Sequence, residues 1–231
     1  MRNPRTLAAC TLGFALLAHT VDGQGPARYR DFELGMNVAG VSALTGVAAT
    51  EVKTIHQRPA VQQDLQWRLS QWIADSSAAS TDPVEQIVFS FFNDRLFRIV
   101  VDYEHNRTEG MTDADMIEAI SAVYGSPVTR TIGPARIASR IEAESGSSVS
   151  RWGGAGYTVA LYRTSSYRGA FRLIVTEPAL DSLARKATIE SARLDDLEAP
   201  RREVARLKKE QDDNRSAAEK ARVANKKVFR P

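Results

Sequence analysis

The sequence predicts an α+β domain, an antiparallel sheet with helices packed on one face, followed by a long C-terminal helix. Three observations lead there. Residues 87–92 and 96–103 are dense in aromatic and β-branched side chains, as strands prefer. Two stretches of helical periodicity each follow a Gly-Met dipeptide, Gly35-Met36 and Gly110-Met111, and each ends at a glycine, Gly46 and Gly125. From Asp181 onward the chain is helix-rich and highly charged.

The chain has 231 residues, 43% apolar and 26% charged, with one cysteine and three histidines. This is the make-up of a folded protein, and a lone thiol excludes an internal disulfide framework and Cys-based zinc or iron–sulfur sites. No HExxH-type pair occurs, so neither a metal site nor a cofactor is expected. Residues 178–231 carry 14 Lys/Arg against 10 Asp/Glu, whereas residues 24–177 are slightly acidic. The basic character therefore belongs to the tail, and nucleic-acid binding is not expected.

Arg2 and Arg5 precede an uncharged, mostly apolar run over residues 7–18, shorter than the roughly twenty residues a membrane span requires. Residues 1–23 read as a signal peptide with cleavage near Gly23, which places the mature chain in the periplasm or outside the cell. Leu7-Ala8-Ala9-Cys10 has the form of a lipidation box. Most of the apolar core follows Cys10 instead of preceding it, so a lipoprotein is not expected.

Within the domain, 24–177, Asn37 caps a short helix closed by Gly46, and residues 52–56 form a strand. Residues 61–73 admit two readings: a strand around Leu65, Trp67 and Leu69, or a helix opened by Pro59 with Val61, Leu65, Leu69 and Ile73 on one face. Then comes a hairpin. A three-residue turn, Asn93-Asp94-Arg95, would pair Phe91 with Phe97, Phe89 with Ile99 and Ile87 with Val101, leaving one wholly apolar face and Ser90 opposite Arg98. Thr112 and Asp115 form a capping box for a helix with Met116, Ile120, Val123 and Tyr124 on one face, ended by Gly125 and Pro127. Residues 157–163 and 171–176 alternate as strands, with Ser165, Ser166 and Gly169 in the turn between them. The repeated order suggests two similar halves, 31–104 and 105–177.

The tail, 178–231, is read as a charged helix interrupted by Pro200 and fraying, partly disordered, toward Pro231. Val204 and Leu207 continue the spacing of Leu197, but Gln211, Asn214, Ala218 and Ala221 follow on the same seam. A stripe this small and polar cannot hold a strong coiled coil. The sharper alternative is a weak pairing or docking helix.

Leu34-Gly35-Met36 ahead of the helix closed by Gly46, Tyr124-Gly125-Ser126-Pro127, and Trp152 ahead of the strand at 157–163 together resemble periplasmic SmpA/OmlA-type domains. The duplicated arrangement resembles the β-lactamase-inhibitor-protein fold. The resemblance spans residues 31–177. It implies helices over one face of an antiparallel sheet, and a role in binding other proteins or assisting envelope assembly without catalysis.

Catalytic sets are poorly represented. His56 lies near Lys53 and Arg58, with no orienting carboxylate or nucleophile evident in sequence. Asp102 and Glu104 alternate onto one side beside His105, a geometry that could suit a hard ion or a general acid, although a polar loop after a strand is the simpler reading. Residues 152–156 are glycine-rich without the Gly-Lys-Ser/Thr ending of a phosphate loop, and suit a bend between strands. Trp67, Trp72, Phe92 and Trp152 are the candidate partner-binding residues, because exposed large aromatics concentrate interface energy. The expected function is an exported, non-catalytic protein-interaction module of the bacterial cell envelope, with another envelope protein as partner. The alternatives are a structural tether whose basic residues 178–231 contact an anionic membrane or glycan, and a hydrolase using Asp102, Glu104, His105 or His56.

Overall fold

The computed structural model of the chain describes residues 27–69, 82–128, 145–154, 156–164, 169–228 and 230. Its strands are β1 (Arg28–Tyr29), β2 (Phe32–Glu33), β3 (Lys53–His56), β4 (Gln62–Arg68), β5 (Val84–Phe92), β6 (Arg95–Glu104), β7 (Ser147–Gly153), β8 (Thr158–Arg163) and β9 (Gly169–Thr176). The helices described are α1 (Val38–Thr45), α2 (His105–Thr108), α3 (Asp113–Tyr124) and α4 (Pro178–Val228). β1 and β2 form a small ribbon, and the other strands form one antiparallel sheet in the order β3-β4-β5-β6-β9-β8-β7. The fold class is α+β, as the sequence predicts.

Residues 31–104 contribute α1 and the meander β3 to β6, and residues 105–177 contribute α3 and the meander β7 to β9. The two groups meet where β6 pairs with β9, Ile99 opposite Val175 and Val101 opposite Leu173. Local caps set both helices. Asn37 accepts the Gly40 N–H, and Gly46 closes α1 in the left-handed region at φ 73°. The capping box of α3 forms as expected: Thr112 accepts from Asp115 N–H, and Asp115 accepts from Thr112 N–H at 2.7 Å. Met116, Ile120 and Tyr124 of α3 are buried, but Val123 is 57% exposed. The buried stripe runs along i, i+4 and i+8 with Ile117 on its flank, which turns Val123 outward.

β4 settles the double reading of residues 61–73 in favour of a strand, paired residue by residue with β5 from Gln62–Phe92 to Arg68–Gln86. Trp72 and Ile73 lie outside the described residues, as do residues 1–26 with Cys10 and the expected signal peptide, and the expected turn residues Ser165 and Ser166.

The hairpin turn differs from expectation. Asn93 and Asp94 have φ of 47° and 62°, so the turn has two residues, with Phe92 opposite Arg95 and Phe91 opposite Leu96. Positive φ at both central positions suits Asn and Asp and matches the twist of the flanking strands. The register then shifts between Ser90 and Phe91, leaving Phe97 as the extra residue of a bulge. Beyond it Ser90 faces Arg98, Phe89 faces Ile99 and Ile87 faces Val101, as the apolar pattern requires. The extra residue is absorbed by the strand, not by the turn.

One face of the sheet carries Leu65, Ile87, Phe89, Ile99, Val101, Val159, Leu161, Leu173 and Val175, and packs against α1, α3 and the β1-β2 ribbon. That is the main core.

Candidate interaction surface

Alternation along β4, β5 and β6 sends Gln62, Asp64, Ser90 and Arg98 to the opposite face. The bulge adds the Phe97 ring to that face, where it packs with Phe92, Leu180 and Ala184. The first turns of α4 therefore lie across the sheet surface that α1 and α3 leave uncovered. Leu180, Ala184, Ala187 and Ser191, spaced at helical intervals, form the buried stripe of this segment.

Polar contacts hold the helix in one position. Arg98 and Asp181 form a buried ion pair, their side chains 10% and 8% exposed, and Arg185 adds a second contact to Asp181 at 2.7 Å. Gln62 Nε2 donates to the Ala184 carbonyl at 3.0 Å and its Oε1 accepts from Thr188 at 3.1 Å. Ser191 Oγ contacts His56 Nδ1 at 3.0 Å. Farther along, Arg58 grips Glu198 with two bonds of 2.6 and 2.5 Å. The seat thus runs from mid-sheet to the edge strand β3, and residues 178–198 belong to the body of the protein instead of to a separate tail. Burial raises the carboxyl of Asp64 on this face above its usual range, opposed by a hydrogen bond with Ser90 and the charges of Arg98 and Lys53.

The expected interruption at Pro200 does not occur; α4 is continuous from Pro178 to Val228. Proline removes the hydrogen bond to the carbonyl four residues back and crowds that turn. Arg202 braces the turn one carbonyl earlier, donating to the Asp195 carbonyl at 3.1 Å and to the Asp195 carboxylate at 2.8 Å. From residue 199 to 228 every described side chain is exposed, a rod of about 45 Å. Ion pairs within the helix, Glu203–Arg206, Arg206–Glu210 and Glu219–Arg222, join neighbouring turns of it on the exposed surface.

The proposed aromatic cluster is not assembled by its described members. Trp152 is 1% exposed, and its Nε1 donates to Ser121 Oγ at 3.0 Å, tying β7 to α3. Trp67 packs edge-to-face on Phe32, with ring centres 5.6 Å apart, at the margin of the same core. Phe92 is half-buried under α4. Trp152 is thus corrected from surface anchor to core, because alternation aims it and Trp67 at the helix-covered face. Trp72 lies outside the described residues.

Of the hydrolase candidates, His56 is kept apart from the others, and Asp102 and Glu104 are engaged by arginines. Asp102 is engaged by Arg172 at 2.5 and 3.0 Å and by Gln86 at 2.9 Å, a cross-strand pairing. Glu104 pairs with Arg107 at 3.8 Å, and His105 is exposed at the start of α2. His56 sits on β3, three strand spacings or roughly 14 Å from β6. Among the described residues His56 is bonded to Ser191 and to no carboxylate, so no triad forms. Gly153 makes the tight bend from β7 to β8: its φ is +100°, and a Cβ there would lie 2.4 Å from the Tyr157 carbonyl oxygen. Among the described residues no three His, Cys, Asp or Glu cluster as a metal site, and no helix is long and apolar enough to cross a membrane.

The seat of α4 escaped the sequence reading. Its partners stand 83 residues apart for Arg98 and Asp181, and 140 for Arg58 and Glu198, beyond any local pattern. The spacing of Leu180, Ala184, Ala187 and Ser191 was the available signal. Comparison with protein-family models, with curated proteins and with solved structures finds no match to this chain.

Proposed function

We propose that this chain is an exported, non-catalytic interaction module of the bacterial cell envelope, in which a sheet-based body holds out a helical arm and the partner is another envelope protein. The observation that carries this reading is the seating of α4: buried ion pairing and a bidentate Arg–Glu contact anchor its first part, and residues 199–228 then project fully exposed. A helix clamped at its root has a set direction, so less ordering entropy is lost when it or the body meets a partner. The Arg-flanked apolar N-terminus supports export. The resemblance to SmpA/OmlA-type domains supports an envelope role, by analogy of fold.

The arm's end favours one further reading. Arg215, Lys220, Arg222, Lys226 and Lys227 stand there against Glu219, a composition suited to tethering on anionic lipid or glycan. Binding to anionic vesicles that weakens with salt and is lost on deleting residues 199–231 would support it.

The main test is photo-crosslinking in living cells from Leu44 and Val123 on the body and Val204 on the arm, all exposed, together with mass determination of the mature N-terminus. The expected result is a discrete adduct with a second envelope protein and a chain starting after Gly23. A chain retained in the cytoplasm with its N-terminus intact would overturn the reading. So would hydrolytic turnover abolished by His56→Ala.

A further inference from the structure

From Leu197 onward α4 carries a seven-residue repeat. Leu197, Val204, Gln211, Ala218 and Asn225 recur at one position, and Pro200, Leu207, Asn214, Ala221 and Val228 fall three residues after them. These are the a and d positions of a coiled-coil seam. The seam is uncovered: Leu197, Val204, Leu207 and Val228 are all exposed large apolar residues.

The charges beside the seam are sorted by sign. Asp196, Glu203 and Glu210 precede the a residues, at g, while Arg201, Lys208, Arg215 and Arg222 follow d, at e. In a parallel, in-register pair each g residue meets the e residue five positions on in the other helix. Asp196 then faces the partner's Arg201, Glu203 the partner's Lys208, and Glu210 the partner's Arg215, with the same contacts on the other side. In an antiparallel pair e would meet e, setting Arg and Lys against one another. An Asn at an a position, as Asn225 is here, specifies register at a cost in stability.

We infer that α4 pairs with α4 of a second copy of this chain, parallel and in register, over residues 197–228. Alanine and amide side chains in the seam make the association reversible and concentration-dependent. In the single chain Glu203 and Glu210 both contact Arg206, at an outward position of the repeat; in the pair they turn to the partner's Lys208 and the partner's Arg215. Two bodies would then sit at the same end of one rod. Self-association without an envelope partner would leave this pairing standing and end the other reading.

The test is sedimentation equilibrium of the full chain over a concentration series, with the expected shift from one-chain to two-chain mass. The double variant E203K/E210K sets like charges across the seam and should weaken pairing at least tenfold (about 1.4 kcal/mol). Adding K208E/R215E restores opposite signs and should recover it. All four positions are exposed on the arm and Glu, Lys and Arg have similar helix propensity; because Glu203 and Glu210 also contact Arg206, the series is run in an Arg206→Gln background, where far-UV circular dichroism should stay unchanged. In a Cys10→Ser background, Asn214→Cys at the seam should oxidise to a covalent dimer faster than Lys209→Cys on the outer side. A one-chain mass throughout, association indifferent to the charge reversal, or equal crosslinking at the two cysteine positions would overturn the inference.

Discussion

Replacing Asp181 by alanine removes the carboxylate that Arg98 and Arg185 share. Arg98 stays behind, its side chain 10% exposed, on a face covered by α4. Deleting one partner of a buried pair costs about 3–5 kcal/mol, because the surviving charge loses its counter-ion without regaining water. Asp64 lies on the same face and interacts electrostatically with Arg98, which puts the loss at the lower end, about 3 kcal/mol. For a chain of this size that lowers the melting temperature by roughly 6–12 °C. Urea titration gives the free energy, and hydrogen exchange over residues 180–191 locates it, since the root of α4 should lose protection before the sheet does. Replacing both partners, R98M with D181L, should come close to neutral, because two desolvated charges give way to apolar packing. A loss under about 1 kcal/mol for Asp181→Ala, or a double variant as damaged as the single, would refute the reasoning.

Asp64→Asn should stabilise the fold at neutral pH. Burial raises the native carboxyl above its unfolded value, so the native state holds the proton longer, and stability falls as pH rises through that window. Unfolding measured against pH should show no gain from the amide below about pH 4, and a gain that grows and then levels above the raised value. Thr112→Ala should cost about 1 kcal/mol through loss of the α3 cap. The Asp115 carboxyl is lowered by hydrogen bonds from the Thr112 backbone and side chain. Its contribution is present above the unfolded value and lost as pH falls through the lower native one, and the alanine variant should show a smaller acid-dependent loss. Gly153→Ala should destabilise by about 1–3 kcal/mol by thermal melting, since the residue needs positive φ and its Cβ would strike the Tyr157 carbonyl.

Much of the fold was legible in the sequence because the signals are local. The Asn37 and Thr112 caps, the left-handed Gly46, and the alternation of Phe89, Ile99 and Val101 each depend on residues within a turn or along a strand. The hairpin shows where this stops. The apolar face demanded that Phe89 meet Ile99, yet an extra residue satisfies that demand equally in the turn or in a bulge, and the local twist of Asn93-Asp94 chose the bulge. The aromatic candidates show the other limit. A tryptophan reads alike whether a helix covers it or not, so only the packing of α3 and the β1-β2 ribbon revealed Trp152 and Trp67 as core.

The chain's own letters determined the α+β class, the caps, the strand alternation and the charge sorting along the arm, all of them interactions between near neighbours. Tertiary structure alone decided that α4 begins as part of the body. The choice rests on Arg98 with Asp181 and Arg58 with Glu198, residues that become neighbours only after the sheet has formed. A charge in sequence has no partner until folding brings one within reach and excludes the water that would otherwise solvate both.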